Sequence, residues 1–431
     1  MTALVRRGRT AAELALSGAL VVALGGCSDE PQPPRVRQPG PTAPASVSPV
    51  PPPASSQEAA KLSAKEQDEL NKKLIAAAWK NDVPRARALI HAGADVNHKD
   101  DSKQSAYLIA SSEGYFDLLE LTLRHGGDVR SLDGFHGTGL IRAADRGHTH
   151  IVGRLLQTEI DVDHVNDLGW TALHEAIILG DGTRRYVDTV RLLVAGGADV
   201  ELAPERDGTP PIQHARSRGY AAITSTLRAA LDTRRLRNPD RSLLRAAADG
   251  SADHVAAALR TGADLEARDA RRRTPLLLAA ANDRHSVARL LVALGADPDA
   301  LDDRHDTPWL VTGVTGSAAM ANLLLTTDPD LTIRNRFGGT SLIPASERGH
   351  VGYVRRVVRT DIDVNHVNDL GWTALLEAVI LGDGSGRYQQ IVRVLLGAGA
   401  DPSIGDKNGV TALEHARDKG YREIARILQR G

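Results

Sequence analysis

Asn166-Asp167-Leu168-Gly169-Trp170-Thr171-Ala172-Leu173-His174-Glu175-Ala176 reads as a loop running into a helix. Threonine is a good N-cap, because its side-chain oxygen can accept from an otherwise orphaned backbone N–H, and alanine suits the first helical position. The stretch returns almost unchanged from Asn368 to Ala378, and the wider segments Ile160 to Gly182 and Ile362 to Gly384 are identical at 20 of 23 positions. The exceptions are Asp163/Asn365, His174/Leu376 and Ile177/Val379. Equivalent helix starts stand at Thr209-Pro210, Thr274-Pro275, Thr307-Pro308 and Thr411-Ala412. A second apolar stretch follows each, such as Leu155-Leu156, Leu192-Leu193, Leu290-Leu291 and Leu395-Leu396, and then a glycine able to supply a left-handed stop. Each unit is therefore helix, turn, helix, loop.

Working outward, Gly-Ala-Asp recurs at Gly93, Gly197, Gly262, Gly295 and Gly399, with degraded forms between. Gly262 to Gly295 and Thr274 to Thr307 are both 33 residues. That period, with Asp-x-x-Gly-x-Thr-Pro-Leu and the Gly-His pairs Gly147-His148 and Gly349-His350, resembles the ankyrin repeat family. The resemblance runs from about Leu74 to the C-terminus and implies an all-α solenoid of helix-turn-helix-loop units. Composition agrees, since aromatics are 3% of residues while small helix formers are plentiful. The array is also duplicated: early repeats match at an offset of 169 and later ones at 202, a difference of one repeat. This predicts five repeats over 63–232 and six over 241–431, with a joint between two stacks around Thr233 to Asp240. The extra unit is expected around Thr307 to Arg334. The first helix is expected to open with a capping box at Ser63 and Glu66.

The N-terminus carries a different message. Arg6, Arg7 and Arg9 precede an apolar run from Leu14 to Leu24, the layout of a secretory signal too short to span a membrane. The run ends Leu24-Gly25-Gly26-Cys27, which resembles the lipobox of bacterial lipoproteins and places the chain's single cysteine at the lipidation position. The expectation is a signal peptide over 1–26 and a diacylglyceryl anchor on Cys27 that holds the protein on the extracytoplasmic side of the cell membrane. A Pro/Ser/Ala-rich linker over 27–62 lacks apolar periodicity and reads as a disordered spacer.

Lys+Arg number 53 against 54 Asp+Glu, so no global polyanion-binding role, and with it no nucleic-acid partner, is indicated. No Gly-x-Ser-x-Gly elbow, Walker loop or His-Glu-x-x-His is present, so no catalytic residue, metal or cofactor is assigned. His148-Thr149-His150 lacks a third ligand nearby. In the family resembled, hairpin tips and first helices line a concave binding face, which implies that Asp167, Trp170, Asp369 and Trp372 lie on or near it. The turns after the duplicated segments are longer by four residues and carry Arg185-Tyr186 and Arg387-Tyr388. Arginine and tyrosine are enriched at interface hot spots, so these four are candidate partner-binding residues. The competing reading is structural: Asp-Gly makes the turn, tyrosine packs over the bend and tryptophan fills the gap between repeats.

Arg268, Arg271, Arg272, Arg273, Arg304, Arg334 and Arg336 fall at the tips of the second block and suggest a basic stripe facing an acidic partner. Interspersed Asp269, Asp302, Asp303 and Asp306 leave a mixed, solvated surface as the alternative. The expectation is a monomeric, lipid-anchored scaffold for an unidentified protein. Its versions are an inhibitor or immunity protein against a secreted toxin or enzyme, and an envelope stress accessory. The rival is a metal-dependent enzyme using the Asp181 and Asp383 loops.

Overall fold

The computed structural model describes residues 62–204, 208–232 and 237–430. Cys27, the signal peptide and the linker up to residue 61 lie outside the described residues. From Lys61 onward the chain forms one compact unit.

Among the described residues it contains eleven consecutive pairs of α-helices. The first block comprises α1 (Ala64–Trp79), α2 (Val83–His91), α3 (Ala106–Glu113), α4 (Phe116–Arg124), α5 (Gly139–Asp145), α6 (Thr149–Leu155), α7 (Ala172–Ile178), α8 (Arg184–Ala195), α9 (Pro211–Ser217) and α10 (Ala221–Leu231). The second comprises α11 (Pro239–Asp249), α12 (Ala252–Arg260), α13 (Pro275–Ala281), α14 (His285–Ala293), α15 (Pro308–Thr315), α16 (Ala318–Leu324), α17 (Leu342–Glu347), α18 (Val351–Val357), α19 (Ala374–Ile380), α20 (Gly386–Gly397), α21 (Ala412–Asp418) and α22 (Arg422–Leu428).

The helix starts follow local chemistry. Thr274 Oγ1 accepts from Leu277 N, and Thr307 and Thr373 cap in the same way with extended backbone. Ser63 and Glu66 form the expected capping box. One start is shifted: at Thr209-Pro210-Pro211 the cap is Pro210 and the helix begins at Pro211, because the residue before a proline is pushed out of the α region into extended backbone.

Odd-numbered helices pack on their odd neighbours within each block and even on even, so each block has a first-helix layer and a second-helix layer. The loops joining repeats are tied together. Asn97 Nδ2 donates to Gly126 O (2.9 Å) while Asp128 N donates to Asn97 Oδ1 (2.8 Å), and Asn365 does the same to Gly399 and Asp401.

At the joint the stacking rule changes. The second block does not simply extend the first-helix layer. Instead α12 packs on α8 and α10, and α14 on α6 and α8, so the two second-helix layers face each other. Gly153 makes this approach possible: a Cβ there would lie 2.3 Å from Ala293 O on α14. Half-buried polar groups close the seam. Asp253 accepts from Arg191 (2.8 Å), Ser225 (2.7 Å) and Thr226 (2.8 Å), and Asp188 accepts from Arg289 (3.1 Å) and Arg191 (3.2 Å). Burial alone would raise the Asp253 carboxyl, yet Ser225, Arg191 and Thr226 together hold it below the usual carboxylate range. A single apolar core runs through both blocks.

Candidate partner interface

Repeats present a hairpin tip just before the first helix, and neighbouring tips are joined by backbone hydrogen bonds in three places and by lysine side chains, Lys99 to Leu132 O and Lys407 to Asp369 O, in two more. Asp167 N donates to Phe135 O (3.1 Å), Asp303 N to Arg271 O (3.1 Å) and Asp369 N to Phe337 O (3.0 Å). Successive tips thus form a ribbon along the edge of each block.

In the duplicated segments one asparagine organises the tip. Asn166 Oδ1 accepts from Leu168 N (3.0 Å) and Trp170 N (3.1 Å), and its Nδ2 donates to Glu175 Oε1 (2.8 Å). Asn368 repeats the arrangement with Leu370, Trp372 and Glu377 (2.8 Å to the carboxylate). Both glutamates are buried, and burial pushes each carboxyl up to about 7, against the lowering effect of the asparagine hydrogen bond. These glutamates were not singled out from the sequence. Their signal was the Asn-x₈-Glu spacing inside the most similar part of the two halves.

The residues read as candidate partner contacts divide into four groups. Asp167 and Asp369 are at the tips; Asp167 is exposed and lies 2.7 Å from His136 Nδ1. Trp170 and Trp372 are half-buried, and Trp372 packs against the core, which supports the gap-filling reading for its ring. Tyr186 and Tyr388 are buried: Tyr186 Oη donates to Asp145 O (2.9 Å) and Tyr388 Oη to Glu347 O (2.8 Å). Arg185 and Arg387 remain exposed above these rings, 5.0 and 5.1 Å from their centroids, with Asp181 and Asp383 within ion-pair reach.

The four extra residues divide between loop and helix. The connection before α8 spans 179–183 against 146–148 before α6, and the rest lengthens the start of the helix, so Arg185-Tyr186 and, in the same way, Arg387-Tyr388 lie inside α8 and α20 and not in the turn. Asp181 Oδ1 accepts from Thr183 N (2.9 Å), and Tyr220 Oη donates to Gly180 O (2.8 Å), so the turn is clamped. A side chain at Gly180 would meet Ala176 O at 2.2 Å, which leaves glycine as the residue that fits. The Gly-His pairs are structural in the same sense. His148 lies against Gly114 and its Nε2 is 3.0 Å from Ser112 O in the preceding repeat. Among the described residues, no group of three or more His, Cys, Asp or Glu is placed to hold a metal ion, and no helix is long and apolar enough to cross a membrane.

Sequence reading missed the exposed apolar side chains at the tips. Phe135 is 68% exposed and Phe337 53%, and Val165, Leu168, Val367 and Leu370 are exposed beside them. Each of the first block has its counterpart 202 residues later. The doubled patch was visible in the identity of the two segments, but whether those side chains faced core or solvent was not.

The family description "Ankyrin repeats (3 copies)" matches residues 106–204, 243–335 and 310–406. This covers more than half of the chain, and the protein belongs to the ankyrin-repeat family, whose arrays are generally protein–protein interaction modules. It is 39% identical over 145 residues to the Escherichia coli (strain K12) ankyrin repeat protein YahD, a match covering 33% of this chain and 72% of that protein. It is 33% identical over 127 residues to human ankyrin repeat and SOCS box protein 6, covering 28% of this chain and 30% of that protein. A crystal structure of an ankyrin repeat domain from Acinetobacter baumannii AYE is similar at 45% identity, covering 43% of this chain and 95% of that one, with a TM-score of 0.42.

Proposed function

We propose that this chain is a lipid-anchored scaffold on the extracytoplasmic side of a bacterial membrane, and that it grips a protein partner through its hairpin tips. The observation that carries the binding reading is the doubled, exposed apolar patch, Phe135-Val165-Leu168 and Phe337-Val367-Leu370. Water-exposed phenylalanine on an ordered hairpin leaves apolar area that a partner can bury. Arg185 and Arg387 belong to the same proposal as exposed cations above rigid tyrosine platforms. The lipobox-like Leu24-Gly25-Gly26-Cys27 is what supports the anchor.

The test is affinity capture from cross-linked envelope fractions with three forms of the full chain: intact, Phe135→Ala/Phe337→Ala and Arg185→Ala/Arg387→Ala. The phenylalanine variant should lose at least about tenfold of the captured partner, since two interface aromatics contribute more than 1 kcal/mol each. A partner captured equally by all three forms would return the tips to a structural role. Fractionation of Cys27→Ala checks the anchor, which is overturned if membrane association persists.

A further inference from the structure

The tip ribbons of the two blocks differ in charge, and the difference is confined to what solvent sees. On the tips of the α13, α15 and α17 repeats, Arg268, Arg271, Arg272, Arg304, Arg334 and Arg336 are exposed, whereas Asp303 is the exposed carboxylate among the described residues of those tips. The other acids that made the sequence read as mixed are withdrawn. Asp269 is held by Arg273 at 2.7 Å and accepts from the backbone of Arg271 and Arg273. Asp302 is buried and accepts from Arg304 N and Asp306 N (2.8 and 2.9 Å), and Asp306 is itself half-buried. Among the described residues, Arg271, Arg272, Arg304 and Arg334 have no carboxylate within ion-pair distance. Arg336 stacks on the exposed Phe337 ring at 4.3 Å, and Leu301 is exposed between them and Arg271. The corresponding tips of the first block, those before α3 and α5, expose Asp101 and Lys103, with Phe135 where the second block has Arg304 at the offset of 169; the next tip exposes an aspartate in both blocks, Asp167 and Asp369.

Arg272 sits at φ +58°, the left-handed region that favours glycine; Lys103, His136 and His305 share that conformation at the same tip position, which is glycine at Gly338 and Gly371.

We propose that the tips of the second block are the seat of an acidic, partly apolar segment of a protein, with guanidinium groups reading its carboxylates and Leu301 and Phe337 taking its apolar side chains. The proposal rests on the reading of the tips as a binding edge and names the chemistry of what that edge takes. Guanidinium groups suit carboxylates because they present paired N–H donors. A ribbon of them that outnumbers the exposed carboxylates Asp303 and Asp369 favours an extended acidic segment over a neutral one.

The full chain would be titrated, by fluorescence anisotropy, against a fluorescein-labelled dodecapeptide of glutamate interrupted by two leucines. Binding is expected at low salt and should weaken at least about tenfold between about 50 and about 300 mM NaCl. Arg271→Gln/Arg304→Gln/Arg334→Gln should weaken it about tenfold or more at an unchanged thermal midpoint, while Lys103→Gln in the first block should leave it unchanged. Arg272→Gly separates structure from recognition, because it should raise the thermal midpoint and weaken the peptide together. Equal binding by the intact and triple variants, or no binding at low salt, would overturn the proposal. So would tighter, Arg-dependent binding to vesicles of anionic phospholipid or to a poly-dT strand than to the peptide. Failure here leaves the phenylalanine-dependent capture standing, so the two readings are separable.

Discussion

The second-helix faces of the two blocks descend from the same pattern and have opposite fates. The face of α6 and α8 in the first block is covered by α12 and α14; the equivalent face of α18 and α20 in the second carries no array among the described residues. The residues record the difference at an offset of 202. Gly153, which admits the α14 backbone, becomes Arg355, Gln157 becomes Arg359 and Asp188 becomes Gln390. Gln157 Nε2 donates to Ala293 O (3.1 Å), and Asp188 lies among Arg184, Arg191 and Arg289, whereas Arg355 and Arg359 are exposed. On the hairpin side the segments 160–182 and 362–384 agree nearly residue for residue. A face that must meet another array is constrained by shape, and a free one only by solubility. The shared hairpin side then holds the part of the molecule that both halves use in the same way.

The sharpest way to break this comparison is Gly153→Leu beside Arg355→Leu. The first must displace the Ala293 carbonyl and should destabilise the fold by about 3 kcal/mol, while the second should change stability by less than about 0.5 kcal/mol. Urea unfolding measures both, and equal effects would mean that the seam contributes little. Asp253→Ala should cost somewhat less, about 2 kcal/mol, because it leaves Arg191 with Asp188 alone and removes the acceptor of Ser225 and Thr226.

The glutamates under the hairpins sharpen the other half of the comparison. Their folded-state values of about 7 stand above the ordinary glutamate value of 4.5, so the native state keeps protons that the unfolded chain releases. Their contribution to stability is therefore greatest below pH 4.5, declines as pH rises to about 7 and is flat beyond. Glu175→Gln and Glu377→Gln keep an acceptor for the asparagine and abolish the charge, so each should flatten that profile. Each should also stabilise the protein by about 1–3 kcal/mol at pH 8. Thermal melts between pH 5 and 8 check this, and unchanged slopes in the variants would show that the carboxyls are solvated. The smallest effects are expected from Tyr186→Phe and Tyr388→Phe. Each loses a hydrogen bond to a carbonyl of the preceding repeat and about 1 kcal/mol, and similar values in the two blocks are required if the hairpin sides are equivalent.

Much of the fold was legible because repeat units are built from local rules. A threonine before Pro275 or Ala374 caps a helix whatever surrounds it. The site was legible only in outline. Arg185 and Tyr186 are neighbours of similar promise in the sequence, yet one is exposed and the other buried, because the extra residues extend α8 and turn the ring onto Gly147 and Gly180. Phe135 was passed over because a phenylalanine in a string has no side, and the hairpin gives it one.

The sequence by itself determined the helix pairs, their 33-residue period, their family and the near-identity of two hairpin segments. These depend on residues within a few positions of each other and on a repeat that carries its own instructions. Only the tertiary structure decided that the second block folds its outer helices against those of the first, which acids withdraw from the tips and which apolar side chains stay in water. Those outcomes rest on contacts such as Arg289 with Asp188 and Gln157 with Ala293, 101 and 136 residues apart. No period links such partners, so the packing of the whole chain settles what they meet.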